Sequence, residues 1–351
     1  MDLSALLLAD PSPNLRRLAL LDLLGRAEDD EEVRELEAQR LEEPVVRDLL
    51  ALQQPDGAWS RNYQMDGWGA GPVQSTALAL MRLGYLGFGA ELAAVQRGAE
   101  YLFAQQQADG GWPAPGQRDE DEEDEGAGSD GYAVRSLQTS LPLRGLAACG
   151  YASDARAERG YAWLLGQRLP DGAWPTGITR SGNYGRVAGY RRLAHSRWGC
   201  RSNTTGALIC LALHPTRCRS AEARAALDLL LGRETREEFS VGYETARLVG
   251  AEEAHGFTTF YARFDLGLLL NLCSRVGASL EDERVRDLAE FIRGLRGKYG
   301  LWEYARKRQV SRWVTLDLLR SFAGLSAESA DWFGLEPRTP FRPYPRQERR
   351  F

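Results

Sequence analysis

QQPDGAW at Gln53–Trp59 returns as QQADGGW at Gln106–Trp112 and as QRLPDGAW at Gln167–Trp174. A weaker echo, RGKYGLW, stands at Arg296–Trp302. Gly57, Gly110, Gly172 and Gly300 are 53, 62 and 128 residues apart. The last gap is close to two periods, so a further copy is expected inside it. LLGRETREEFS at Leu230–Ser240 shadows LLGQRLPDGAW at Leu164–Trp174. There Arg233 stands in the Gln167 place, and Phe239 falls one residue short of the Trp174 place. That copy has lost its glycine turn and has drifted.

Each copy has the same physical parts. A helix with apolar residues at helical spacing runs in, as with Val45, Val46, Leu49, Leu50 and Leu52, and ends at a glutamine. Asp-Gly or Gly-Gly follows, where glycine can take the left-handed conformation that closes a helix. Two residues later comes a tryptophan, a large apolar ring with one donor, able to staple the neighbouring helix pair while the glutamine amide reaches the turn.

Between these outer helices lie segments rich in small residues: Gly71–Gly84, Val134–Gly150, Cys200–Pro215, Tyr261–Gly277 and Ser311–Leu325, with Asn14–Gly25 as a sixth. Amphipathic outer helices alternating with less polar inner ones predict stacked helical hairpins. The fold class expected is all-α, an α/α toroid of five to six hairpins; an open solenoid is the structural alternative. The expected toroid domain covers residues 1–330, with an acidic insertion at 116–132 around DEDEEDE (Asp119–Glu125). Residues 331–351 form a Pro/Arg-rich tail.

A hydrophobic content of 43% is globular, and a net charge of −5 argues against nucleic acid as the main partner. The first residues lack a basic leader, and no stretch approaches the length of a membrane-spanning helix. Five cysteines, an odd number placed mostly in helical segments, suggest reduced thiols and a cytoplasmic location. Lysine occurs only at Lys298 and Lys307, so arginine supplies nearly all positive charge.

The Q-x-x-D-G-x-W copies resemble the QW repeats of squalene–hopene cyclases and of their relatives, the protein prenyltransferase β subunits. The resemblance covers Val45 to Leu325. It implies an α/α toroid whose inner helices line an apolar cavity for isoprenoid chains. The cyclases carry a D-x-D-D-T motif opening an inner helix, where a protonated aspartate starts cyclisation. The matching stretch here is VQSTALAL (Val73–Leu80), with Gln74 and Ser75 in the aspartate places. The prenyltransferases hold zinc with an Asp, a Cys and a His. Cys200 opens an inner helix here, but Trp198 stands in the Asp place, and Ser311–Arg312–Trp313 supplies no His. Neither catalytic signature is present, and the repeat itself names an architecture rather than a chemistry.

Candidate sites then rest on residue chemistry. Arg135, Arg201, Arg263 and Arg312 open four successive inner helices. In a closed ring they would point to one mouth and grip a diphosphate or carboxylate; pairing with nearby acids is the plainer role. Asp265 and Asp317 interrupt apolar inner helices. Each is either paired with arginine or a cavity acid of raised pKa, a candidate catalytic group. Tyr261 and Trp313, with Phe264, could line the cavity and face a carbocation, or serve as core aromatics. Asn203 and Thr204 either cap the helix after Cys200 or bind ligand. His195, Cys200 and His214 are weak metal candidates whose spacing matches no zinc signature. No cofactor is expected, and neither magnesium nor zinc has support.

These residues suggest a protein that binds an isoprenoid or other lipid-like ligand, with any anionic head at the arginine mouth and catalysis left open. Two further readings compete. One is a non-catalytic scaffold that binds a protein partner or a second copy of itself. The other is an (α/α) carbohydrate-active enzyme built on Asp265 and Asp317.

Overall fold

The computed structural model describes residues 3–59, 65–66, 71–114, 132–233, 239–255, 260–325 and 338–345. The acidic run Asp119–Glu125 lies outside the described residues, as does much of the tail.

In chain order the α-helices are α1 (Leu3–Leu8), α2 (Pro13–Asp22), α3 (Glu31–Arg40), α4 (Pro44–Ala51), α5 (Pro72–Tyr85), α6 (Ala93–Ala104) and α7 (Leu137–Ala148). They continue with α8 (Ala155–Gly166), α9 (Arg201–Leu213), α10 (Ala221–Leu231), α11 (Tyr243–Leu248), α12 (Leu266–Val276), α13 (Glu283–Gly294) and α14 (Ser311–Leu325). The inner helices are α2, α5, α7, α9, α12 and α14. Residues Arg201 to Ala212 of α9 are all buried, whereas α8 buries one stripe, Ala157, Gly160, Tyr161 and Leu164. That contrast separates inner from outer helices. From α5 to α14 neighbouring inner helices pack in sequence, α14 returns against α1 and α2, and Arg40 of α3 joins that end to α5 by donating to the Leu86 carbonyl at 3.1 Å. Arg312 reaches Asp10 at 3.0 Å, and Arg320 pairs with Asp22 across the same seam. The ring therefore closes, as an α/α toroid. Among the described residues, strand structure is limited to short two-stranded pairings in the connectors, such as Tyr132–Val134 with Ile178–Thr179.

The tryptophans are the staples. Trp59, Trp112, Trp174 and Trp302 are almost wholly buried. Each indole Nε1 donates to the carbonyl ten residues earlier: Leu49 at 2.8 Å, Leu102 at 2.7 Å, Leu164 at 2.7 Å and Ile292 at 2.6 Å. Each backbone N–H donates to a threonine hydroxyl in the first turns of the next inner helix, from Thr76, Thr139, Thr204 and Thr315. One residue thus ties the end of an outer helix to the start of an inner one. Gln53 Nε2 bonds the carbonyls of Gly57 and Ala94, and Gln106 Nε2 those of Gly110 and Arg156, joining the turn to the following outer helix. The inserted residue of the third copy breaks this pattern: Gln167 Nε2 turns back to the Trp163 carbonyl at 3.5 Å.

Gly57 and Gly110 sit at φ of 91° and 95°. A Cβ there would stand 2.4 and 2.5 Å from the carbonyl oxygens of Arg97 and Arg159. Glycine is required by conformation and by the approach of the next helix.

The fourth junction differs from its expected form. Phe239 is 40% exposed and meets Phe291 edge-on at 5.2 Å, so it is no buried staple. Without the glycine turn, the chain at Phe239–Ser240 pairs in parallel with Phe264–Asp265 instead. The tail crosses this region. Thr339 Oγ1 donates to the Asp228 carbonyl at 2.7 Å, and the Tyr344 ring stacks on Phe291 at 4.7 Å.

Candidate functional site

A cavity of about 670 Å3 occupies the centre of the ring. Its apolar wall is built from Leu18, Met81, Ile209, Leu213, Leu272 and Leu318, which come from α2, α5, α9, α12 and α14. Its rim lies where the inner helices end, at Asp22, Tyr85, Leu213, Ser274 and Arg275. Its floor is α11, through Gly242, Glu244, Thr245 and Leu248. That short helix follows the drifted fourth copy and packs against α5, α12 and α14.

Polar groups lock the floor in place. Arg144 of α7 meets Glu244 at 2.5 Å and bonds the Tyr261 hydroxyl at 2.7 Å. Arg247 pairs with the other Glu244 oxygen and donates to the Phe260 carbonyl at 2.8 Å. Arg82 Nε of α5 donates to the Arg247 carbonyl at 3.0 Å. Burial alone would raise the Glu244 pKa, but Arg144 and Arg247 hold it down at about 2. Burial pushes the Tyr261 phenol up to about 12.

Asp317 lies in the cavity wall, its side chain 21% exposed. It accepts a 2.7 Å hydrogen bond from Thr245 Oγ1 and sits 3.4 Å from Arg320. Burial raises its pKa, and the Arg320 charge opposes the shift. Asp265 has a different place. It caps α12 and α11 together, accepting from the backbone N–H groups of Gly242 (3.0 Å), Glu244 (2.7 Å), Gly267 (2.9 Å) and Leu268 (3.5 Å). Burial pushes its carboxyl up to about 6 against the pull of those amides. Asp265 is not in the cavity wall, so the two aspartates do not face each other across it.

The remaining candidates lie away from the cavity lining. Arg135 is buried over the Tyr132 ring, and burial lowers its pKa to about 10. Arg201 lies over Phe264, and Arg263 over Tyr243. Arg312 holds Asp10. All four stand at the starts of the inner helices or just before them, whereas the cavity opens where those helices end. Trp313 packs 5.9 Å from Tyr85. Asn203 Oδ1 accepts from the Leu137 backbone, tying α9 to α7, and Thr204 receives Trp174. His195 contacts the Pro340 carbonyl, His214 pairs with Glu158 at 2.8 Å, and Cys200 is the buried residue before α9. Among the described residues no three His, Cys, Asp or Glu side chains converge as metal ligands.

Arg144, Glu244, Arg247 and Tyr85 went unrecognised in the sequence. The only signal was an acid and an arginine three apart in YETARL (Tyr243–Leu248), directly after the drifted repeat.

Residues 3–190 match the family described as squalene-hopene cyclase C-terminal domain. The chain is 27% identical over 160 residues, 43% of its length, to the squalene–hopene cyclase of Zymomonas mobilis subsp. mobilis. It is 34% identical over 131 residues, 35% of its length, to the lanosterol synthase of Mus musculus. These matches cover 22% and 16% of the two relatives, so the chain spans about a fifth of their length. Among solved structures, a type II terpene cyclase from Scytonema matches 80% of this chain and 96% of its own at 13% identity, with a TM-score of 0.33. A variant of that cyclase, solved with geranylgeranyl dihydroxybenzoate as substrate, matches 80% of this chain and 95% of its own at 14% identity and the same TM-score, 0.33. A likeness of that size carries no argument about a ligand. Among the described residues no helix is long and apolar enough to cross a membrane.

Proposed function

The chain belongs to the squalene-hopene cyclase C-terminal domain family, and on that premise we propose that its cavity takes an isoprenoid or similar lipid-like ligand. One observation carries the proposal: an open space of about 670 Å3 at the centre of the ring, walled on one part by apolar side chains and on another by polar and charged ones that include Arg144, Glu244, Asp317 and Arg320. That size and that lining suit a small lipid-like molecule. Its hydrocarbon part would lie along Leu18, Met81, Ile209, Leu272 and Leu318. An anionic head would sit at the rim, where Arg275 is exposed beside Asn271 and Arg320 lies close by. The rim is preferred to the four arginines at the other ends of the helices because it borders the open space. Asp317 is the wall acid to test for proton transfer, because it borders the open space and burial raises its pKa against the pull of Arg320.

A cavity filled by side chains would have favoured a scaffold; this one is open. A glycoside-cleaving site needs two carboxylates flanking one substrate bond, and Asp265 is engaged in capping two helices.

The test is thermal unfolding with farnesyl or geranylgeranyl diphosphate. Saturating ligand should raise the Tm by several degrees, and Ala212→Trp, which fills the cavity, should abolish the rise. Asp317→Asn should keep the rise while losing any turnover. No rise in the wild type at any ligand concentration would overturn the proposal.

A further inference from the structure

We infer that α11 is the length gauge of this cavity and that Leu248 sets where the inner end of the ligand stops. The inference rests on the cavity being a lipid site.

A ring of helices has two ends, and here they are unlike. At one end the cavity is edged by the last residues of α2, α5 and α9, Asp22, Tyr85 and Leu213. At the other, α11 lies across it, presenting Gly242, Glu244, Thr245 and Leu248. A chain entering from the rim therefore meets α11.

The floor is held from several sides. Arg82 of α5 bonds the Arg247 carbonyl at 3.0 Å, Arg144 of α7 holds Glu244, and Thr245 bonds Asp317 of α14 at 2.7 Å. Asp265 joins the start of α11 to the start of α12. Moving α11 to admit a longer chain would break buried charged and hydrogen-bonded contacts together, so ligand length must adapt to the floor.

Within the floor, Glu244 and Thr245 are committed to polar partners. A hydrocarbon end pressed on them would remove water from polar groups without replacing it. Leu248, 7% exposed, is the apolar floor residue. Side-chain volume added there subtracts length from the site. Leucine to tryptophan adds heavy atoms equal to about one isoprene unit, in an interior that tolerates overpacking poorly.

The experiment measures Kd by equilibrium dialysis for geranyl, farnesyl and geranylgeranyl diphosphate with wild type, Leu248→Trp, Leu248→Ala and Leu213→Trp. Leu248→Trp should lose at least about tenfold more affinity for the geranylgeranyl than for the geranyl compound. Leu248→Ala should move the preference toward the longest compound. Leu213→Trp, at the rim, should weaken all three alike. If Leu248→Trp fails to melt cooperatively, Leu248→Phe takes its place. Equal losses across the series, or none, in the Leu248 variants would overturn the gauge while leaving the lipid site standing. A wild type that binds none of the three would overturn both.

Discussion

Four junctions of the ring carry a buried tryptophan, and a fifth, between α10 and α12, carries none. At the four, an indole Nε1 reaches back ten residues and a backbone N–H meets a threonine of the next inner helix. At the fifth, Phe239 is 40% exposed, and α11 fills the centre with Glu244 clasped between Arg144 and Arg247. The repeated junctions build the ring. The junction that lost its staple supplies the floor of the cavity. In a closed ring one junction can abandon its local bonds because the neighbouring hairpins hold the frame.

The largest expected effect sets the two kinds of junction against each other. Trp112→Ala should lower stability by about 3–5 kcal/mol in denaturant unfolding. Phe239→Ala should change it by less than about 1 kcal/mol; equal losses would erase the distinction. Of similar size, Glu244→Gln would leave two buried guanidinium groups uncompensated, at a cost of about 3–5 kcal/mol. Its pH signature sharpens the point. The folded Glu244 carboxyl titrates at about 2, below its ordinary value of 4.5. Its contribution is therefore full above the ordinary value and is lost as pH falls through the folded one, up to about 3 kcal/mol in all. Stability measured from pH 6 downward should fall less steeply in Glu244→Gln than in wild type. Next, Gly110→Ala combines a positive φ with a clash against the Arg159 carbonyl, costing roughly 1–3 kcal/mol. Thr139→Val should cost about 1 kcal/mol, since the Trp112 N–H loses its acceptor inside the core. A Thr139→Val variant as stable as wild type would show that the indole bond alone carries the staple.

Much of the frame was legible. The inner segments expected at Gly71–Gly84, Cys200–Pro215 and Ser311–Leu325 appear as α5, α9 and α14, within two residues at each end. The segment expected from Tyr261 begins as helix only at Leu266, because Tyr261 and Asp265 are spent on Arg144 and on the α11 cap. The site was less legible. Arg135, Arg201, Arg263 and Arg312 marked one end of the ring by their regular spacing, yet spacing says nothing about which end is open. Arg144 and Glu244 are a hundred residues apart, and no local pattern announces that they meet.

The sequence by itself determined the ring. Glycine turn, tryptophan and the helices beside them interact over about ten residues, so each copy specifies its own junction wherever it stands. The tertiary structure alone decided where the empty space lies. A cavity is what remains when every element has packed, and its open end depends on whether a six-residue helix crosses the ring. That helix is held by partners from α5, α7, α12 and α14, whose proximity exists only after the ring has closed.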